Sequence, residues 1–176
     1  MNISVFGSSE PKEGSSAYSE ARELGGLLAH HGHTVFTGGY IGTMEVISRG
    51  AAEAGGHVIG VTCKDIERWR GVGANKWVLE EWKKDKLIQR LQALVEGCDA
   101  ALALPGGPGT LTEISLMWNL MIINSLSPRP LILIGRGWKE IFEHMYSSMG
   151  DLSTQSQHEL LIFSLDINSA ADIIAK

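Results

Sequence analysis

Twice in this chain an apolar strand candidate runs straight into a glycine-rich turn that opens a helix, and this repeated unit restricts the possible folds more than any other feature. His33-Thr34-Val35-Phe36 leads into Thr37-Gly38-Gly39-Tyr40-Ile41-Gly42-Thr43 and a helical run over 44–54. Asp99-Ala100-Ala101-Leu102-Ala103-Leu104 leads into Pro105-Gly106-Gly107-Pro108-Gly109-Thr110 and a helix carrying Glu113. A helix between strands carries the chain back over the sheet, so the next strand pairs in parallel.

Further strand-like runs fall at 3–6, 58–61, 76–79, 131–134 and 161–164. Helical spacing marks residues 16–31, which end at Gly32, and 138–149, which end at Gly150. Residues 83–97 read as a helix carrying Arg90, and 155–176 as a short helix, a strand and a last helix over 170–175 capped by Asn168 or Ser169. Several strands are unbroken apolar runs, as expected where helices cover both faces of a sheet. The expectation is an α/β fold, a Rossmann-like three-layer sandwich with a mainly parallel sheet. With 176 residues, 44% of them hydrophobic, and no Pro- or Ser-rich linker, one nucleotide-binding domain over 1–176 is expected.

In such a sheet ligands collect outside the carboxyl ends of the strands, where both glycine turns and the first loop, Gly7-Ser8-Ser9, would meet. Glycines let the backbone approach a ligand, and the unpaired N–H groups of a helix start attract phosphate. The candidate phosphate and nucleotide contacts are therefore Gly7, Ser8, Ser9, Gly38, Gly39, Gly42, Thr43, Gly106, Gly107, Gly109 and Thr110.

A formal charge of −5 argues against a nucleic-acid polymer or an anionic membrane as partner and favours a small nucleotide such as AMP. Two cysteines, Cys63 and Cys98, are too few for a disulfide framework, and the six histidines lack metal-ligand spacing, so neither metal nor cofactor is expected. A strand candidate at the very start, with no basic and apolar leader before it, points to the cytoplasm.

With Pro105-Gly106-Gly107-Pro108-Gly109-Thr110-Leu111-Thr112-Glu113 in view, the chain resembles the Lonely Guy family, whose signature is Pro-Gly-Gly-x-Gly-Thr-x-x-Glu. Val5-Phe6-Gly7-Ser8-Ser9, the turn around Gly38, Gly39, Gly42 and Met44, His57-Val58-Ile59-Gly60-Val61, and Arg90 ahead of Asp99 extend the match. The resemblance implies a homodimer that hydrolyses the N-glycosidic bond of a purine riboside 5′-monophosphate, cytokinin nucleotides included. Its catalytic Arg and Glu would be Arg90 and Glu113. The chain departs from the family pattern at Thr37, Thr43 and Glu45, at Gln89 and Leu91 beside the arginine, and at Thr112. The alternative is a non-catalytic carrier or sensor of a phosphorylated ligand, as some relatives bind the molybdenum cofactor.

Each candidate also has a plainer reading. Thr110 and Glu113 are spaced as a capping box. Arg90 shares a helical face with Lys83 and Lys86 and can be a solvated cation. Residues 64–73 read as a mobile surface loop, although Trp69 can stack on a base and Arg68 or Arg70 can meet a phosphate. Leu116, Met117, Leu120, Met121 and Ile123 read as core or dimer interface.

Overall fold

The computed structural model describes residues 1–175; the last residue of the predicted C-terminal segment, Lys176, lies outside them. Its strands are β1 (Asn2–Phe6), β2 (Thr34–Thr37), β3 (Val58–Cys63), β4 (Glu80–Lys84), β5 (Ala100–Ala103), β6 (Leu131–Ile134) and β7 (Ile162–Ser164). Its helices are α1 (Ser16–His30), α2 (Thr43–Glu53), α3 (Lys64–Arg70), α4 (Leu87–Glu96), α5 (Pro108–Ile122), α6 (Arg136–Met149), α7 (Gln155–His158) and α8 (Ile167–Ile174).

The strands form one sheet in the order β4-β3-β2-β1-β5-β6-β7, and every pair is parallel. The chain runs outward from β1 to β4 on one side and from β5 to β7 on the other. The switch point, where an open sheet of this kind holds its ligand, therefore lies between β1 and β5. β3, β5 and β6 are buried along their whole length, as a sheet covered on both faces requires. One core layer joins Leu24 and Leu28 of α1, Ile47 of α2 and Ala170 and Ile174 of α8 to Val35 and Leu102. The opposite layer joins Leu94 of α4, Met117 of α5 and Phe142 of α6 to Phe36 and Leu133.

Four local expectations are corrected. The strand expected at 76–79 falls at β4, where Ile59 pairs with Glu80 and Cys63 with Lys84. Its sequence Glu-Glu-Trp-Lys-Lys has no apolar face to reveal it, because it is the sheet's open edge and charge there discourages pairing with another chain. The helix expected over 83–97 starts only at Leu87, so Lys83 lies on β4 and shares no helical face with Arg90. Residues 64–70 form α3 rather than a loop, tied to the β4 side by Glu67 with Lys83 (2.7 Å) and Lys64 with Asp85 (2.6 Å). The last helix is capped by Asp166, whose carboxylate accepts from Ser169 N at 2.8 Å.

Candidate functional site

A cavity of about 500 Å³ opens at the carboxyl ends of the strands. Gly7, Ser8, Ser9, Gly107, Gly109, Thr110, Arg90 and Glu113 all line it. Tyr40, Met44, Ile66, Trp69, Arg70, Leu87, Leu91 and Thr112 complete much of the wall. Two grooves of about 610 Å³ elsewhere, one along β4 and α4 and one between α1 and α2, contain none of the candidate residues.

The other candidates build the cavity without lining it. Thr43 packs on Gly7, where a Cβ would lie 2.6 Å from its methyl group. Gly42, at φ +70°, presses against Ser9, and Thr43 N donates to Ser8 O at 2.9 Å. Gly106 lies against Thr110 in the same way. Gly39, at φ +74°, has its own N–H accepted by Thr37 Oγ1 at 3.1 Å. Thr37, which departs from the family glycine, reaches Ser48 Oγ at 3.2 Å and so holds this turn to α2.

Helix α5 begins at Pro108, with Gly107 as its N-cap. Proline suits this first position because its fixed φ matches the helix and it lacks the N–H that would go unpaired. Leu111 N donates to Gly107 O at 3.0 Å, so the orphan donors of the first turn are Gly109 and Thr110. Thr110 is thus the third helical residue and not the cap, which removes the capping-box reading of Glu113.

Arg90 is not a solvated cation: it is 4% exposed. Its Nε donates to Val61 O at 2.8 Å, and its guanidinium lies over the Tyr40 ring, 5.7 Å from the centroid. Tyr40 is itself fixed to β3, accepting from Cys63 N (2.7 Å) and donating to Cys63 O (3.0 Å). A side chain at Gly38 would collide with Arg90 Nη2 and Met44 Sδ, so that glycine makes room for the guanidinium. These partners meet the demand that a buried charge be hydrogen-bonded or paired.

Glu113 is 8% exposed, and its Oε1 lies 3.6 Å from Arg90 Nη1. Burial pushes its pKa up to about 7, against the pull of the Arg90 charge in the other direction. Near neutral pH the carboxyl can therefore take or give a proton, inside a cavity that also holds the start of α5.

Asn75 gave no sequence signal. Its Nδ2 donates to Gly39 O (3.0 Å) and Tyr40 O (2.9 Å), and its Oδ1 accepts from Trp77 N (3.1 Å), clamping the segment after α3 to the glycine turn. Among the described residues no group of three or more His, Cys, Asp or Glu is arranged to hold a metal ion, and no helix is long and apolar enough to cross a membrane.

A probable cytokinin riboside 5′-monophosphate phosphoribohydrolase of Oryza sativa is 34% identical over 113 residues, covering 64% of this chain and 45% of that protein. A cytokinin riboside 5′-monophosphate phosphoribohydrolase of Arabidopsis thaliana is 37% identical over 115 residues, covering 64% and 52%. The chain spans about half the length of these plant relatives. Among solved structures, the molybdenum cofactor binding protein of Rippkaea orientalis superposes with a TM-score of 0.74 at 22% identity, over 98% of this chain and 94% of that one, which shows a shared fold. The SLOG cluster4 family model matches residues 1–162, and with the Pro-Gly-Gly-x-Gly-Thr-x-x-Glu signature in place the chain belongs to that family and to the Lonely Guy proteins.

Proposed function

We propose that the protein hydrolyses the N-glycosidic bond of a purine riboside 5′-monophosphate, giving free base and ribose 5-phosphate. The observation that carries this reading is the buried Glu113 and Arg90 pair in the same cavity as the exposed start of α5. The free N–H groups of Gly109 and Thr110 suit the 5′-phosphate. Glu113 follows Thr110 by three residues, about 5–6 Å along the same helical face, a spacing that suits a carboxylate at the sugar when the phosphate sits at the helix start.

As the C1′–N bond breaks, positive charge gathers on the ribose, and an adjacent carboxylate stabilises it. Glu113 also takes a proton from the water whose oxygen joins C1′, while the departing base keeps the electron pair of the C1′–N bond and takes up a proton from solvent. Arg90 opposes the burial effect and keeps part of the Glu113 population ionised at neutral pH. Its fixed guanidinium acts on the carboxylate, while Tyr40 and Val61 hold that guanidinium still. A second copy of the chain is part of the proposal: Leu111 of α5 and Ile123, which caps the end of that helix, are large apolar side chains left exposed, as suits a surface packed against a partner.

The test is incubation of the protein with AMP and with a cytokinin riboside 5′-monophosphate, with chromatography of released base, beside Glu113→Gln and Arg90→Ala. Release by the wild type that both variants lose supports the reading. Thermal stabilisation by either nucleotide without release overturns it in favour of a carrier or sensor of a phosphorylated ligand.

A further inference from the structure

β4 is an outer strand of the sheet, and in its sequence Glu80-Glu81-Trp82-Lys83-Lys84 opposite charges stand at equal distances on either side of Trp82. A second copy of the strand laid antiparallel about Trp82 therefore sets Glu80 against Lys84, Glu81 against Lys83 and Trp82 against Trp82. No like charges meet. Laid parallel and in register, the same two strands oppose every charge with its like. Charge along an edge keeps off foreign strands, but this order of charges admits one partner. We infer that β4 is a pairing surface for β4 of a second copy of the chain, joined through backbone hydrogen bonds about a two-fold axis at Trp82, so that one sheet runs through both molecules.

The surroundings of the strand fit this role. Glu80 pairs with His57 and Lys83 with Glu67, whereas among the described residues Glu81 and Lys84 make no ion pair. Glu81 accepts from the Thr62 hydroxyl, and Lys84 lies over the Trp82 ring at 5.9 Å. Across the seam Glu81 meets Lys83 of the second copy, and Lys84 meets its Glu80. Trp82 is a fixed centre: its ring stands edge-on to Phe36 at 5.0 Å, and its Nε1 donates to Glu80 Oε1 at 2.6 Å. The open groove of about 610 Å³ beside it runs between β4 and α4, with Gln89, Gln92 and Glu96 in its wall. Residues directly opposite in an antiparallel pair share a face, so the two Trp82 rings and the two grooves meet on the α4 side of the joined sheet.

This surface is distinct from the exposed end of α5, because α5 packs on β1 and β6 while β2 and β3 separate β1 from β4. A strand of five residues offers far less than the roughly 800 Å² per partner of a stable complex. Pairing is therefore reversible, with a dissociation constant on the order of 10⁻⁴ M, and the seam is open in dilute protein.

The test is sedimentation velocity from about 5 to about 500 µM, on either side of that constant. It compares the wild type with two double variants, Glu80→Lys with Glu81→Lys and Lys83→Glu with Lys84→Glu, each of which opposes only like charges when paired with itself. The wild type is expected to double in mass across the range, and neither double variant to do so alone. An equal mixture of the two should regain the doubling, since every charge across the seam then faces its opposite. Ile123→Glu should keep it, which separates this seam from the α5 surface. Constant mass in the wild type overturns the inference, as do doubling by either double variant alone, a mixture of folded variants that fails to double, and loss of doubling in Ile123→Glu. Deuterium exchange of the wild type reads the seam without substitution and decides the matter if a double variant does not fold. Slower exchange of residues 79–85 at high concentration supports the seam, and exchange independent of concentration overturns it.

Discussion

Replacing Glu113 by Gln removes one ionisation from the interior while keeping the shape of the side chain, and its effect on stability follows from the burial of the site. In the unfolded chain the carboxyl loses its proton near its ordinary 4.5, whereas in the fold it does so only at about 7. Below the lower value both states hold the proton and Glu113 contributes no pH dependence. Between the two values the fold binds more protons than the unfolded chain, so stability falls as pH rises, and above 7 the full difference is present. At about 1.4 kcal/mol per pH unit the difference is roughly 3 kcal/mol. The Arg90 attraction is already contained in it, because Arg90 is what limits the rise. Glu113→Gln should match the wild type near pH 4.5 and exceed it by about 3 kcal/mol at pH 8, a melting temperature roughly 6–12 °C higher for a chain of this size. Thermal and urea unfolding of both proteins across that range provides the assay. A variant no more stable than wild type at pH 8, or a stability gap that does not change with pH, would refute a buried carboxylate held off its ordinary pKa.

Base release should rise with pH through about 7 in a pH–rate profile as Glu113 ionises, and in Arg90→Ala the Glu113 carboxyl should titrate at higher pH by carboxyl-carbon NMR, since the opposing charge is gone. Gly38→Ala should displace Arg90 and lower kcat about tenfold or more with little change in KM; an unchanged kcat would mean that the guanidinium is not held by that contact. Asn75→Ala should lower stability by about 2 kcal/mol in urea titration, through loss of its bonds to Gly39, Tyr40 and Trp77. Light scattering during size exclusion should report a dimer for the wild type and a larger monomer fraction for Ile123→Glu at the C-terminal cap of α5, and a monomeric wild type would reject the proposed second copy.

The layers and the parallel sheet were legible because the inner strands are apolar on both faces: Ala100, Ala101, Leu102 and Ala103 can hardly be read otherwise. β4 was not legible, since an edge strand needs no such pattern and Glu80, Glu81, Lys83 and Lys84 conceal it. Helix α3 was hidden for a related reason, being held by ion pairs to β4 rather than by an apolar face. The cluster of Gly7, Gly107, Thr110 and Glu113 could be anticipated because each sits just beyond an apolar strand. The burial of Arg90 could not, because Val61, Tyr40 and Gly38, which accommodate it, come from distant parts of the chain and say nothing locally about a guanidinium. Glu113 was ambiguous by spacing alone until the helix start at Pro108 was known.

The strand order also constrains how the chain is made. β1 leaves the ribosome before the other strands of its sheet, and it pairs with β2 on one side and β5 on the other. Until residues 100–103 have emerged, the flank of β1 that will carry Ala100 to Ala103 is a bare row of backbone donors and acceptors, with Ile3 and Val5 beside it. An unfinished sheet of this kind recruits foreign strands readily. The seam beneath the cavity at the carboxyl ends of β1 and β5 is therefore the weak point of the nascent chain, and whatever shelters it during synthesis governs how much folded protein is obtained.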